Sequence, residues 1–72
     1  DNMGDMGPVG ALTGPIVRGD AETVRLHLSA LPERERGLYT ALGRETLKLA
    51  APRLKPEVAE EIHALLEGAE EP

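Results

Sequence analysis

Apolar residues recur three and four positions apart from Ala11 onward, and no stretch alternates apolar and polar at a period of two. The first spacing lines one face of an α-helix and the second would line one face of a strand, so the pattern predicts an all-α fold. Glycine and proline divide it into elements. Residues 1–10 carry Gly4, Gly7, Pro8 and Gly10 and read as a linker or loop, because glycine resists ordering and proline lacks a backbone donor. Residues 11–18 have room for one or two helical turns, with Pro15 tolerable only near their start. Gly19 ends that segment. Asp20 is placed to cap the next helix by accepting from the backbone N–H groups of Glu22 and Thr23.

That second helix runs to about Leu31, with Ala21, Val24, Leu28 and Leu31 on one face. Pro32 suits the first position of a third helix, and Glu33 and Glu35 complement the positive end of its dipole. Leu38, Leu42 and Leu49, with the smaller Ala41 and Thr46, read as its apolar face. Gly37 and Gly43 inside it cost about 1 kcal/mol each relative to alanine. They mark either a close helix–helix approach or a break near Gly37. Pro52 stops the helix at Ala51. Pro56 opens a last helix whose stripe is Val58, Ala59, Ile62, Leu65 and Leu66, with Gly68 at its end and an acidic tail over residues 69–72. The reading is a small bundle of three to four helices over residues 11–68.

Composition narrows the functions such a bundle can have. A chain of 72 residues buries only roughly 60% of its unfolded surface, so its core is marginal without a staple. It has no cysteine, hence no disulfide and no thiolate metal site, which agrees with a reducing, cytoplasmic setting. A partner surface is then the expected staple. A net charge of −5 argues against nucleic acid, and Tyr39, the single aromatic residue, cannot build a stacking platform for bases. No apolar run nears the roughly 20 residues that span a bilayer, so no membrane partner is expected. The chain opens on Asp1 rather than Met, which leads to the expectation that it is part of a longer product.

Motifs for chemistry are sparse. Gly10, Gly14 and Gly19 do not make a phosphate loop, because Gly14 is followed by Pro15 and Ile16 instead of Lys and Ser or Thr. Arg18-Gly19-Asp20 spells an adhesion tripeptide, but Asp20 is better used as a helix cap. Arg18, a cation beside a capped helix start, can face a bound anion or pair with an acidic neighbour. His27 and His63 lie far apart, and Glu60, Glu61 and His63 fit a solvated helix face better than a metal site. Thr13, Ser29, Thr40 and Thr46 offer hydroxyls without a base and orienting group beside them, so catalysis by this chain alone is not expected.

The run Ala11-Leu12-Thr13-Gly14-Pro15-Ile16-Val17-Arg18-Gly19-Asp20 resembles the C-terminal helical domain that follows a Rossmann domain in a family of NADP-dependent oxidoreductases. That family is grouped with pyrroline-5-carboxylate reductase, ketopantoate reductase and 6-phosphogluconate dehydrogenase. The likeness continues through Thr23-Val24, His27-Leu28, Leu31, Leu38-Tyr39, Leu42-Gly43, Leu47 and Ala50, and thins after Pro52. The resemblance implies a fold like the C-terminal domain of 6-phosphogluconate dehydrogenase-like proteins. It also implies that NADP or NAD is held by an N-terminal Rossmann half, with no cofactor in the present stretch. The helical half then builds a homodimer and closes one wall of the substrate cleft. By the same carry-over Thr13, Arg18 and Asp20, with His27 as a weaker fourth, are the substrate-side candidates. Two rivals stay open: a stand-alone helical interaction module, and an adaptor bundle with an apolar groove for an amphipathic partner.

Overall fold

A computed structural model describes residues 7–68, and within them the chain is all-α. Four helices follow one another: α1 (Gly7–Arg18), α2 (Ala21–Ala30), α3 (Glu33–Ala50) and α4 (Pro56–Gly68), with a single 3₁₀ turn, Ala51–Arg53, between the last two. The expected loop over residues 1–10 lies partly outside the described residues; within them Gly7 to Gly10 already belong to α1. The helix therefore starts earlier than the glycines and Pro8 suggest, and Pro15 sits in its third turn rather than near its start. An interior proline forfeits a hydrogen bond and crowds the preceding turn. Packing overrides that cost, since Ile16 is fully buried and Leu12 lies against the core.

The core is one cluster. Ile16 from α1, Val24 and Leu28 from α2, Tyr39 and Leu47 from α3, and Ile62 and Leu66 from α4 are all buried. Ala21, Leu31, Leu54, Val58, Ala59 and Leu65 pack around them. Helices α2 and α4 thus bury the faces that their spacing predicts. Helix α3 does not. Its buried residues are Tyr39, Thr40, Gly43, Leu47 and Ala50, whereas Leu38 is 70% exposed and Leu49 is 82% exposed. The helix carries apolar residues on two faces, and periodicity cannot say which one meets the core.

Gly43 selects the inner face. A Cβ there would lie 3.0 Å from Leu66 Cδ2 and 3.1 Å from Ile16 Cδ1, so its missing side chain lets α1 and α4 close on α3. Gly37 has no such role, with nothing within 4 Å of the corresponding position, and α3 runs through it unbroken. Pro32 precedes α3 as its N-cap rather than occupying its first turn. Arg36 reaches back from α3 and donates from Nη1 to the carbonyls of Leu31 (3.0 Å) and Leu28 (3.4 Å), closing the C-terminal end of α2. On the far side of α3, Arg44 pairs with Glu67 of α4 at 3.9 Å.

Candidate functional site

The corner between α1 and α2 is built by two interlocked caps. The Gly19 N–H donates to Ile16 O (3.1 Å) and the Asp20 N–H to Pro15 O (2.7 Å), the paired bonds of a Schellman ending. Gly19 has φ +73°, the left-handed conformation that ending requires. Asp20 then caps α2, accepting from Thr23 N (3.2 Å) and Thr23 Oγ1 (2.7 Å). The bond expected from the Glu22 N–H is replaced by the Thr23 hydroxyl. These bonds hold the Asp20 carboxyl below its ordinary value of 3.8; Arg18 and His27 add smaller effects in the same direction, against partial desolvation.

The same corner presses on the connection between the 3₁₀ turn and α4. A Cβ on Gly19 would stand 3.1 Å from Leu54 Cδ2 and 3.2 Å from Val58 Cγ1. That contact brings Arg18 beside Arg53 and Lys55 around a cleft of about 280 Å³, with Gly19, Leu54 and Val58 completing its lining. The Arg18 side chain runs back along its own helix, its Nη1 3.0 Å from where a Gly14 Cβ would be. A side chain on Gly14 would displace it.

Of the four residues singled out from the sequence, Arg18, Asp20 and His27 are electrostatically coupled through the Asp20 carboxylate. Arg18 alone of them lines the cleft. Thr13 lies five residues before Arg18 on α1, roughly 140° around the helix, and is half-buried with a polar partner of its own. His27 faces α3, where its Nδ1 lies 3.4 Å from Tyr39 Oη. Arg53 and Lys55 are cleft residues that sequence reasoning passed over. They sit 35 and 37 positions beyond Arg18, between Pro52 and Pro56, and the one available signal was a pair of cations in a proline-bounded turn.

Two other grooves are present. One of about 450 Å³ lies between α3 and α4, with Leu47, Ala51 and Ala59 on its wall and Arg44, Glu60, His63 and Glu67 at its rim. Another, of about 440 Å³, is bordered by Arg25, Ser29, Arg36 and Leu65. Among the described residues, no three His, Cys, Asp or Glu side chains are grouped to hold a metal ion. No helix among them is long and apolar enough to cross a membrane.

Fold and cleft together define a small all-α domain with a cation-lined corner. The chain belongs to the family described as a domain of unknown function, DUF2520, whose family model matches residues 1–46. The match takes in the resembling run at residues 11–20 and stops short of Leu47 and Ala50, and also of Arg53 and Lys55. No curated protein and no solved structure matches the chain.

Proposed function

We propose that the chain is the C-terminal, helical part of a Rossmann-type NAD(P)-dependent oxidoreductase, contributing a substrate-side wall and a dimer surface and performing no chemistry by itself. The observation that carries this reading is the fate of residues 11–20. The run that resembles the oxidoreductase-associated domain, and that lies within the family match, folds as the α1–α2 corner and delivers Arg18 to a cleft. A cation at such a corner is suited to hold the carboxylate or phosphate of a bound molecule against a neighbouring domain. The outward face of α3 supports the second role, because Leu38, Ala41 and Leu49 are exposed on one side of a helix whose other side is core. A second copy burying that face would supply the staple that so small a core lacks.

The test is made on the protein expressed from its natural gene. Intact mass, light-scattering mass and binding of NADPH and NADH are measured on one sample. A chain several times longer than 72 residues, dimeric and binding NADPH or NADH, is the expected result. A chain of about this length without affinity for either nucleotide overturns the reading. It would favour a stand-alone interaction module, for which the apolar wall of the α3–α4 groove at Leu47, Ala51 and Ala59 is the supporting feature.

A further inference from the structure

The chain carries thirteen acidic and eight basic side chains, and it uses half of its cations internally. Arg25 pairs with Glu22, Lys48 with Glu45 and Arg44 with Glu67, while Arg36 caps α2. Three of the remaining cations converge instead on one cleft: Arg18 from the end of α1, Arg53 from the 3₁₀ turn and Lys55 from the residue before α4. Among the described residues neither Arg53 nor Lys55 has an ion-pair partner. Arg18 has a minor effect on the Asp20 carboxylate, whose oxygens are held by Thr23. Holding three like charges together in a chain with acids to spare costs energy that a bound anion would return.

We propose that this cleft binds the phosphate group of a small organic phosphate monoester. The lining carries three cations and no carboxylate, an excess of positive charge that a single bound carboxylate would only partly neutralise. A phosphate monoester carries about −1.5 to −2 charges at neutral pH and offers three acceptor oxygens; the Arg53 guanidinium fork matches it in a bidentate manner, Lys55 adds an ammonium donor, and Arg18, whose fork lies against Gly14, adds positive charge to the lining. Leu54 and Val58 form an apolar floor for the carbon part of such a molecule. The volume of about 280 Å³ sits just below the range of roughly 300–1,000 Å³ for drug-sized ligands, so the occupant is small. A polyanion is disfavoured, because the chain's overall charge of −5 repels an extended phosphate backbone.

Arg53 and Lys55 lie beyond the residues matched by the family, whereas Arg18 and Gly19 lie within them. The proposal does not rest on the redox reading: phosphate binding without any NADPH or NADH affinity would sink that reading and leave this one standing.

The experiment follows backbone amide NMR shifts of the protein during titration with phenyl phosphate. Benzoate serves as the monoanionic comparison, and vesicles containing phosphatidic acid as the lipid one. Saturable shifts at Gly19, Arg53, Leu54 and Lys55 are expected. Benzoate should bind about tenfold more weakly, as should phenyl phosphate to Arg53→Gln/Lys55→Gln, the loss expected when charge-assisted contacts are removed. Circular dichroism verifies that this variant is folded, and Lys55→Gln alone, at an exposed position, should show a smaller loss in the same direction. The proposal is overturned by any of three results: no saturable shift, equal affinity for benzoate, or shifts that survive in the folded double variant. Binding to the vesicles without binding to phenyl phosphate overturns it as well.

Discussion

His27 and Tyr39 meet across the α2–α3 interface, Nδ1 3.4 Å from Oη and the two rings edge to face with centroids 5.8 Å apart. Tyr39 is only 2% exposed, so its hydroxyl depends on a partner inside the fold, and the half-buried imidazole is that partner. Burial raises the phenol above its ordinary value of 10.0. The pair joins a residue on the resembling segment to the centre of the core. His27 is therefore an interface histidine in this structure, held by α3 rather than directed into the cleft.

Tyr39→Phe should lower stability by about 1 kcal/mol, the net worth of one intramolecular hydrogen bond, measured by urea denaturation. His27→Ala, which leaves the hydroxyl unsatisfied as well as removing the ring contact, should cost more than Tyr39→Phe. Equal stability of the Tyr39→Phe variant and the parent would mean that the contact does not contribute. Because the folded phenol titrates higher than the unfolded one, the stability it brings is fully present below about pH 10 and is lost as pH rises towards the folded value.

Gly43 and Gly37 should respond to alanine in opposite directions. Gly43→Ala puts a methyl 3.0–3.3 Å from Leu66 and 3.1 Å from Ile16, both fully buried and unable to give way. Overpacking of about 1–3 kcal/mol outweighs the gain in helix propensity, so a lower melting temperature is expected. Gly37→Ala meets nothing within 4 Å and should stabilise by about 0.5–1 kcal/mol. Thermal denaturation of the two single variants, side by side, decides the matter; shifts of the same sign would contradict the packing described for α3.

The Asp20 cap makes stability depend on pH at the acid end. Its folded carboxyl, held low first by the Thr23 hydroxyl and then by the Thr23 N–H, titrates below 3.8. The stabilisation is complete above the unfolded value and disappears as pH falls through the lower folded one. Asp20→Asn keeps an acceptor for the cap but has nothing to protonate. Its melting temperature should therefore fall less steeply than the parent's below about pH 4. Parallel acid limbs for the two proteins would place the titration elsewhere.

Leu38 and Leu49 test the outward face of α3. Both are largely exposed, so Leu38→Gln/Leu49→Gln should leave monomer stability within about 0.5 kcal/mol. The same pair should weaken self-association in sedimentation or light scattering if this face joins two copies. An association constant unaltered by the double substitution would remove α3 from the interface.

Much of the architecture is legible in the sequence. The helical class, the break at Gly19, the cap at Asp20, the stop at Pro52 and the buried stripes of α2 and α4 follow from local physics: backbone freedom, missing donors and one-sided apolar spacing. The start of α1 was not legible, because glycine and proline at residues 7–10 speak against a helix that packing of Ile16 and Leu12 sustains. Nor was the inner face of α3, where two apolar stripes compete on one cylinder and only the gap at Gly43, filled by Leu66 and Ile16, decides between them.

The candidate site divides along the same line. Arg18, and Asp20 as a cap, were visible because their chemistry is local to one turn. The meeting of Arg18 with Arg53 and Lys55 was decided by tertiary structure, through the contact of Gly19 with Leu54 and Val58. Sequence by itself determined where this chain turns and caps, since those depend on residues within a few positions of one another. Which faces are buried, and which cations share a cleft, depend on packing between helices tens of residues apart, and no local pattern encodes that.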